Sequence, residues 1–309
     1  MKRKVHFIVG PTAVGKTFLS ERIAEHLAVE IISADSRQIY RYMDIGTAKP
    51  DVALRKKVRH HFIDICDPDA YYSAGMFGRE ARQTVKQILE RGNRPLVVGG
   101  SGFYIKAMVD GIFELETKDE AVRAELDERL QKEGLPALYD ALQKVDPVYA
   151  AKISPNDRQR ILRSLEVYRI TGRPFSSFHR QKPVQADFEP VFWGLDMERK
   201  ALYARINRRV DQMLSQGLID EVQALLERGY SPELNALNTV GYKEVIQYLK
   251  NELTLDEMTE RIKRNSRRYA KRQFTWFRAD KRIRWQTIQT ADDLEKLAKK
   301  IVREVVSEK

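Results

Sequence analysis

The chain has 309 residues, 42% of them hydrophobic, which is enough to bury a full core and to hold one large domain with an insertion. A single cysteine, Cys66, excludes an internal disulfide framework and a cysteine-rich zinc site, and the absence of any apolar run near the ~20 residues that span a bilayer, or of a leader-like N-terminus, makes a cytoplasmic protein the expectation. The formal charge of +11, from 55 Lys and Arg against 44 Asp and Glu, favours a polyanionic partner.

The β-rich run 5–9 predicts a first strand, and a helical pattern carried by Phe18, Leu19, Ile23 and Leu27 follows it. Between them stands Gly10-Pro11-Thr12-Ala13-Val14-Gly15-Lys16-Thr17, which matches the phosphate-cradling pattern G-x-x-x-x-G-K-[ST] at every fixed position. The glycines let backbone N–H groups turn toward a phosphate, and the helix N-terminus adds positive potential. Lys16 supplies a mobile cation and Thr17 a hydroxyl for Mg²⁺. The motif predicts binding of a di- or triphosphate without saying whether it belongs to a nucleotide.

A second strand over 29–33 leads into Asp35, Ser36, Arg37 and Gln38. In an open α/β sheet the end of strand two is expected beside the phosphate loop, so Asp35 should project into the same crevice. By itself an Asp there caps a helix, organises Mg²⁺ or takes a proton. Further strands are predicted at 62–65, ending in Asp64 and Ile65, and at 96–98, which runs into Gly99-Gly100-Ser101-Gly102. Helical patterns separate most of these strands, so the expected fold is α/β, a doubly wound parallel sheet of the P-loop NTPase kind.

From 111 to 188 the strand signal disappears and helices are predicted over 119–132, 135–144 and 155–171, the last capped by Ser154 and stopped by Gly172. This stretch reads as a helical insertion domain, leaving 1–110 and 189–309 as the α/β core. Strand 191–195 returns to the sheet, one long amphipathic helix is predicted over 200–227, and a last strand over 283–288. Arg205 and Arg209 share a face of that helix. Between Arg261 and Arg284 eleven basic residues meet one acid, Asp280, and Tyr269, Phe274, Trp276 and Phe277 interleave with them. Basic and aromatic side chains together suit phosphate contact and base stacking.

Taken together, the segments 10–17, 35–40, 43–50, 61–64, 98–104, 156–167, Gly241-Tyr242 and 272–278 resemble those of bacterial tRNA dimethylallyltransferases, in order and along nearly the whole chain. Ser101 and Phe103 stand where many members have Thr and Leu, and Ser keeps the hydroxyl. The resemblance implies transfer of a dimethylallyl group from dimethylallyl diphosphate to the exocyclic amine of adenosine 37, just 3′ of the tRNA anticodon. It implies that residues 10–17 with Mg²⁺ bind the diphosphate, joined by Arg205 or Arg209, and that Asp35 is the general base. It implies tRNA contacts at Asp35, Ser36, Arg37, Gln38, Ser101 and Arg123, and at Gln159, Arg160, Ile161, Leu162 and Arg163. An adenine packed in its loop must leave the stack to reach a buried electrophile, so base flipping is expected, with Gln38 reading the adenine edge. A monomer is expected.

Three other readings remain open on the residues alone. A P-loop kinase would need an acidic Mg²⁺ organiser at a strand end, for which Asp64 is available. A prenyltransferase for free adenine nucleotides would share the phosphate loop but would not need the basic segment. A non-catalytic RNA-binding NTPase would account for the charge.

Overall fold

The computed structural model describes residues 2–112, 119–178 and 184–307. In chain order the strands are β1 (Lys4–Val9), β2 (Val29–Ala34), β3 (His60–His61), β4 (Arg94–Gly99), β5 (Glu189–Asp196) and β6 (Ile283–Thr287). The helices are α1 (Lys16–Ala24), α2 (Val52–Lys57), α3 (Ala74–Glu90), α4 (Gly102–Val109), α5 (Glu120–Val145), α6 (Pro147–Ala150), α7 (Arg158–Thr171), α8 (Phe175–Phe178), α9 (Arg199–Ser215), α10 (Leu218–Glu227), α11 (Tyr242–Leu249), α12 (Leu255–Arg278) and α13 (Ala291–Ser307).

All six strands are parallel, in the order β3-β2-β4-β1-β5-β6. A wholly parallel sheet needs helical crossovers and is covered on both faces, so its central strands are apolar throughout rather than alternating. β1 shows this. Phe7 packs against Phe188 and Phe192 on one face, while Ile8 joins Leu19, Ile23, Trp193, Ile206, Leu297 and Ile301 in the core under α1, α9 and α13 on the other.

The chain divides into two compact units, 1–109 with 185–309, and 110–184. The core thus ends one residue before the expected 110 and resumes before the expected 189, where Ala186 N–H donates to the carbonyl of Val109 (2.9 Å) and Ala186 and Phe188 are buried. The second unit is helical and has its own core of Leu126, Leu138, Leu142, Ile153, Ile161 and Leu165.

Three expected elements differ from what the chain does, and a fourth pair is kept apart as expected. Residues 62–65 are not strand: Phe62 and Asp64 take positive φ (63° and 56°), and β3 ends at His61. The helix expected over 200–227 breaks at Gly217 (φ 96°) into α9 and α10. The helix expected from 155 begins at Arg158, with the Asp157 carboxylate accepting from Arg160 N–H in place of the Ser154 cap. Within α5, Gly134 (φ 80°, ψ 167°) separates the two expected helices, with Pro136 opening the second.

Candidate active site

The phosphate loop follows from the strand, loop and helix around it. Positive φ at Gly10, Ala13 and Gly15 (149°, 65° and 113°) folds the backbone over the start of α1, the geometry that aims N–H groups inward. Lys16 Nζ lies back over this loop, donating to the carbonyls of Gly10 (2.9 Å) and Pro11 (2.7 Å). Thr17 is exposed in the first turn of α1 and lines the adjoining cleft of about 780 Å³.

From the opposite wall α9 brings both candidate arginines to this cleft. Arg209 Nη1 donates to Thr12 Oγ1 (3.3 Å), which ties it to the phosphate loop, and Arg205 lies one turn earlier. Burial first, then Arg209, push the Lys16 ammonium down to about 7, with the Asp35 charge opposing them. Burial and Arg205 likewise hold Arg209 below the usual guanidinium range. Each shift comes first from burial and then from a neighbouring cation, and a bound polyanion would oppose both.

Asp35 directly follows β2, but β2 is not adjacent to β1, because β4 lies between them. The expectation that strand two ends beside the phosphate loop is thus corrected, yet Asp35 and the loop line one cleft. Glycines at the end of β4 allow it. A Cβ on Gly99 would lie 2.1 Å from the carbonyl oxygen of Ala34, so only glycine lets the two strand ends approach this closely. Asp35 Oδ1 accepts from Arg37 N–H (2.9 Å), which fixes the turn. Ser101 Oγ accepts from Ser36 N–H (3.0 Å). Tyr269 is pushed up to about 12 by burial and by the charge of Asp35.

Several residues that belong to the cleft lining, or hold residues next to it, carry no local sequence signal. Glu221 of α10 accepts from the N–H groups of Asp44 (2.8 Å), Ile45 (2.7 Å) and Gly46 (3.1 Å) and from the hydroxyl of Tyr242 (2.6 Å). Its three backbone partners lie about 176 residues upstream, beyond any pattern of spacing. Lys49, its side chain 1% exposed, donates to Asp44 (2.8 Å), to Asp64 (2.5 Å) and to the carbonyl of Tyr40 (2.6 Å). Asp64 also pairs with Arg55 (2.6 Å), so both its oxygens are engaged and it does not line the cleft. This removes the carboxylate that the kinase reading required. Gln273 of α12, buried, accepts from Thr12 N–H (2.9 Å) and donates to Gly100 O (3.0 Å), joining the two glycine-containing turns.

Gln38 lines the cleft with its amide committed: Oε1 accepts from Ser33 Oγ (2.9 Å) and Nε2 donates to Thr47 O and Ala48 O (each 3.2 Å). Arg37 reaches Asn235 O (2.7 Å). In the helical unit, Arg123 and Arg163 converge on one buried carboxylate, Glu166 (2.5 and 2.7 Å), while Gln159 and Arg160 are exposed. Ile161 does not belong to that surface: it is fully buried in the unit's core, with Leu162 half-buried beside it. Of the aromatics interleaved with the basic segment, Trp276 is 44% exposed whereas Phe277 is 3% exposed and packs inward.

Residues 38–280 match the sequence pattern of a family described as IPP transferase. A tRNA dimethylallyltransferase of Pelotomaculum thermopropionicum is 47% identical over 98% of this chain and 96% of its own length. One of Geobacter sulfurreducens is 47% identical over 92% of each. Among solved structures, the full-length tRNA isopentenylpyrophosphate transferase of Bacillus halodurans superposes with a TM-score of 0.72 at 41% identity, covering 99% of this chain and 98% of that one. A eukaryotic dimethylallyltransferase acting on tRNA gives a TM-score of 0.80 at 28% identity, over 99% of this chain and 80% of that one. With a phosphate loop, a clustered set of cations and a facing carboxylate in one cleft, and relatives this similar over their whole length, the chain belongs to the tRNA dimethylallyltransferase (IPP transferase) family.

Proposed function

We propose that this protein transfers the dimethylallyl group of dimethylallyl diphosphate to the exocyclic amine of adenosine 37 in tRNA and releases diphosphate. The observation that carries the reading is the cleft itself, which sets Lys16, Arg205 and Arg209 around the phosphate loop and opens Asp35 onto the same space across Gly99 and Gly100. Ile206, Val210, Met213 and Ile262 give the cleft an apolar wall suited to a five-carbon chain.

The adenine amine is a weak nucleophile because its lone pair is delocalised into the ring. As its nitrogen bonds to the first carbon of the dimethylallyl group, the carbon–oxygen bond to diphosphate breaks and Asp35 takes the proton that the nitrogen sheds. Lys16, Arg205 and Arg209 stabilise the charge that gathers on the departing diphosphate. Thr17, exposed in the first turn of α1, offers a hard oxygen that would hold Mg²⁺. Bound there, it would supply further charge neutralisation. Ser36, Arg37, Gln38 and Ser101 would receive the flipped base. Since the amide of Gln38 is engaged, it would shape the pocket more than read the base edge. Arg123, Gln159, Arg160 and Arg163 would meet the tRNA backbone. No helix among the described residues is long and apolar enough to cross a membrane.

Single-turnover transfer of labelled dimethylallyl diphosphate with Mg²⁺ tests this. Label should enter an unmodified tRNA with adenosines at positions 36 to 38 and not the same tRNA with guanosine at 37. Asp35→Asn should slow the chemical step by roughly 10²–10⁴ while both substrates still bind. Label on free AMP, or transfer unaffected by Asp35→Asn, would overturn the reading.

A further inference from the structure

On α12 the residues Arg264, Arg268, Arg272 and Trp276 follow one another at four-residue spacing and all four are exposed. They form one ridge of the helix, with about 6 Å of rise between neighbours. Among the described residues no ion pair engages any of the three arginines. The ridge is therefore a row of available cations that ends in an aromatic ring.

That ring lies one helical turn beyond a residue of the cleft lining. Arg272 lines the cleft, and the indole of Trp276 lies against the backbone of Gly102, where an added Cβ would meet it at 2.0 Å. The neighbouring Ser101 holds Ser36 of the turn that begins at Asp35. Phe103, the next residue after Gly102, meets Trp276 edge to face (centroids 6.3 Å apart, 85° between planes) and is 52% exposed, against 44% for Trp276. Two large aromatic side chains are thus packed edge to face, half open to solvent, next to the residues that hold the turn beginning at Asp35.

We propose that Phe103 and Trp276 form a stacking platform for a tRNA base adjacent to the one that enters the cleft, with Arg264, Arg268 and Arg272 carrying the phosphates of the strand that leads to it. This rests on the tRNA-modifying reading given above. The charge selects the occupant: a row of cations ending in an exposed aromatic pair matches a single-stranded polyanion with flat bases. A base drawn out of an anticodon loop leaves its neighbour without a stacking partner, and an aromatic face next to the cleft replaces the lost contact without demanding a particular sequence.

Binding of an unmodified anticodon stem-loop to the full chain at fixed salt tests the platform, with 2-aminopurine placed in turn at the positions flanking adenosine 37. One flanking 2-aminopurine should be quenched on binding to the parent protein and bright again on Trp276→Ala. Phe103→Ala and Trp276→Ala should each weaken stem-loop binding by about tenfold, and Trp276→Phe should recover most of the loss. Affinity for dimethylallyl diphosphate and Tm should stay at parent values. Parent-like RNA affinity in both alanine variants would overturn the platform while leaving the enzyme assignment intact. So would a loss that Trp276→Phe does not recover and that comes with a lower Tm, because the pair would then only support Gly102. A parent protein that binds no stem-loop would overturn the tRNA reading and the platform with it.

Discussion

Lys16 is the residue at which the electrostatics of the cleft are most open to measurement. Burial, Arg209 and the counteracting Asp35 leave it titrating near 7 with the cleft free of anion. A diphosphate beside it favours the charged form and raises that value. Below about pH 7 Lys16 is already protonated and affinity should be insensitive to this group. Above pH 7 the free protein has lost the proton and must take it up on binding, so the Kd for dimethylallyl diphosphate should rise by up to about tenfold per pH unit until the pKa of the complex is reached. Calorimetry in two buffers of different ionisation enthalpy at pH 8 should show proton uptake, and Lys16→Met should lose it together with affinity. An unchanged proton count in that variant would show that Lys16 is not the group. The place of Lys16 in the phosphate loop was legible from sequence because it belongs to a contiguous motif. Its titration was not, since the shift comes from burial and from Arg209, which only folding brings near.

At the scale of elements the same contrast holds. Five of the six strands lie close to their expected places because parallel central strands are continuous apolar runs, a pattern local enough to see. Residues 62–65 look like such a run but leave the sheet at Phe62 in a left-handed backbone, and the reason is tertiary: Asp64 is turned toward Lys49 and Arg55. The break at Gly217 was missed because the apolar period continues on both sides of it. Gln273 shows what the basic helix does besides carrying charge. It was visible only as part of a matching segment, whereas its contacts hold the phosphate loop and the Gly100 turn at one separation. Gln273→Leu keeps the approximate volume but leaves Thr12 N–H and Gly100 O without this partner. An unpaired buried polar group costs roughly 1–3 kcal/mol, so a Tm lower by roughly 5 °C is expected. The Kd for dimethylallyl diphosphate should rise about tenfold, since a loop that must be ordered on binding binds less tightly. Parent-like melting and affinity in this variant would show that the loop holds its form without α12.

For the whole molecule, the insertion was legible as a loss of strand signal, and its limits became definite only through the sheet-side contacts of Ala186 and Phe188. Each unit has a core of its own, one under the parallel sheet and one around Leu138, Leu142 and Ile161. All the cleft residues belong to the unit formed by 1–109 and 185–309. The hydrogen bond from Ala186 N–H to Val109 O brings the ends of that unit together at 2.9 Å, so residues 110–184 can be replaced by a short Gly-Ser turn without stretching the sheet. The excised protein should unfold cooperatively and bind dimethylallyl diphosphate within about twofold of the full chain, because no cleft residue is removed. Its affinity for tRNA should fall, and the salt dependence of that affinity should flatten. Each arginine of the set Arg123, Arg160 and Arg163 that contacts a phosphate takes about 0.9 from the slope of log K against log salt when it leaves. What remains should be the contribution of α12, removable in turn by replacing Arg264 and Arg268 with Gln. A slope unchanged by excision would confine tRNA recognition to the α/β unit and leave the helical unit without a role in it.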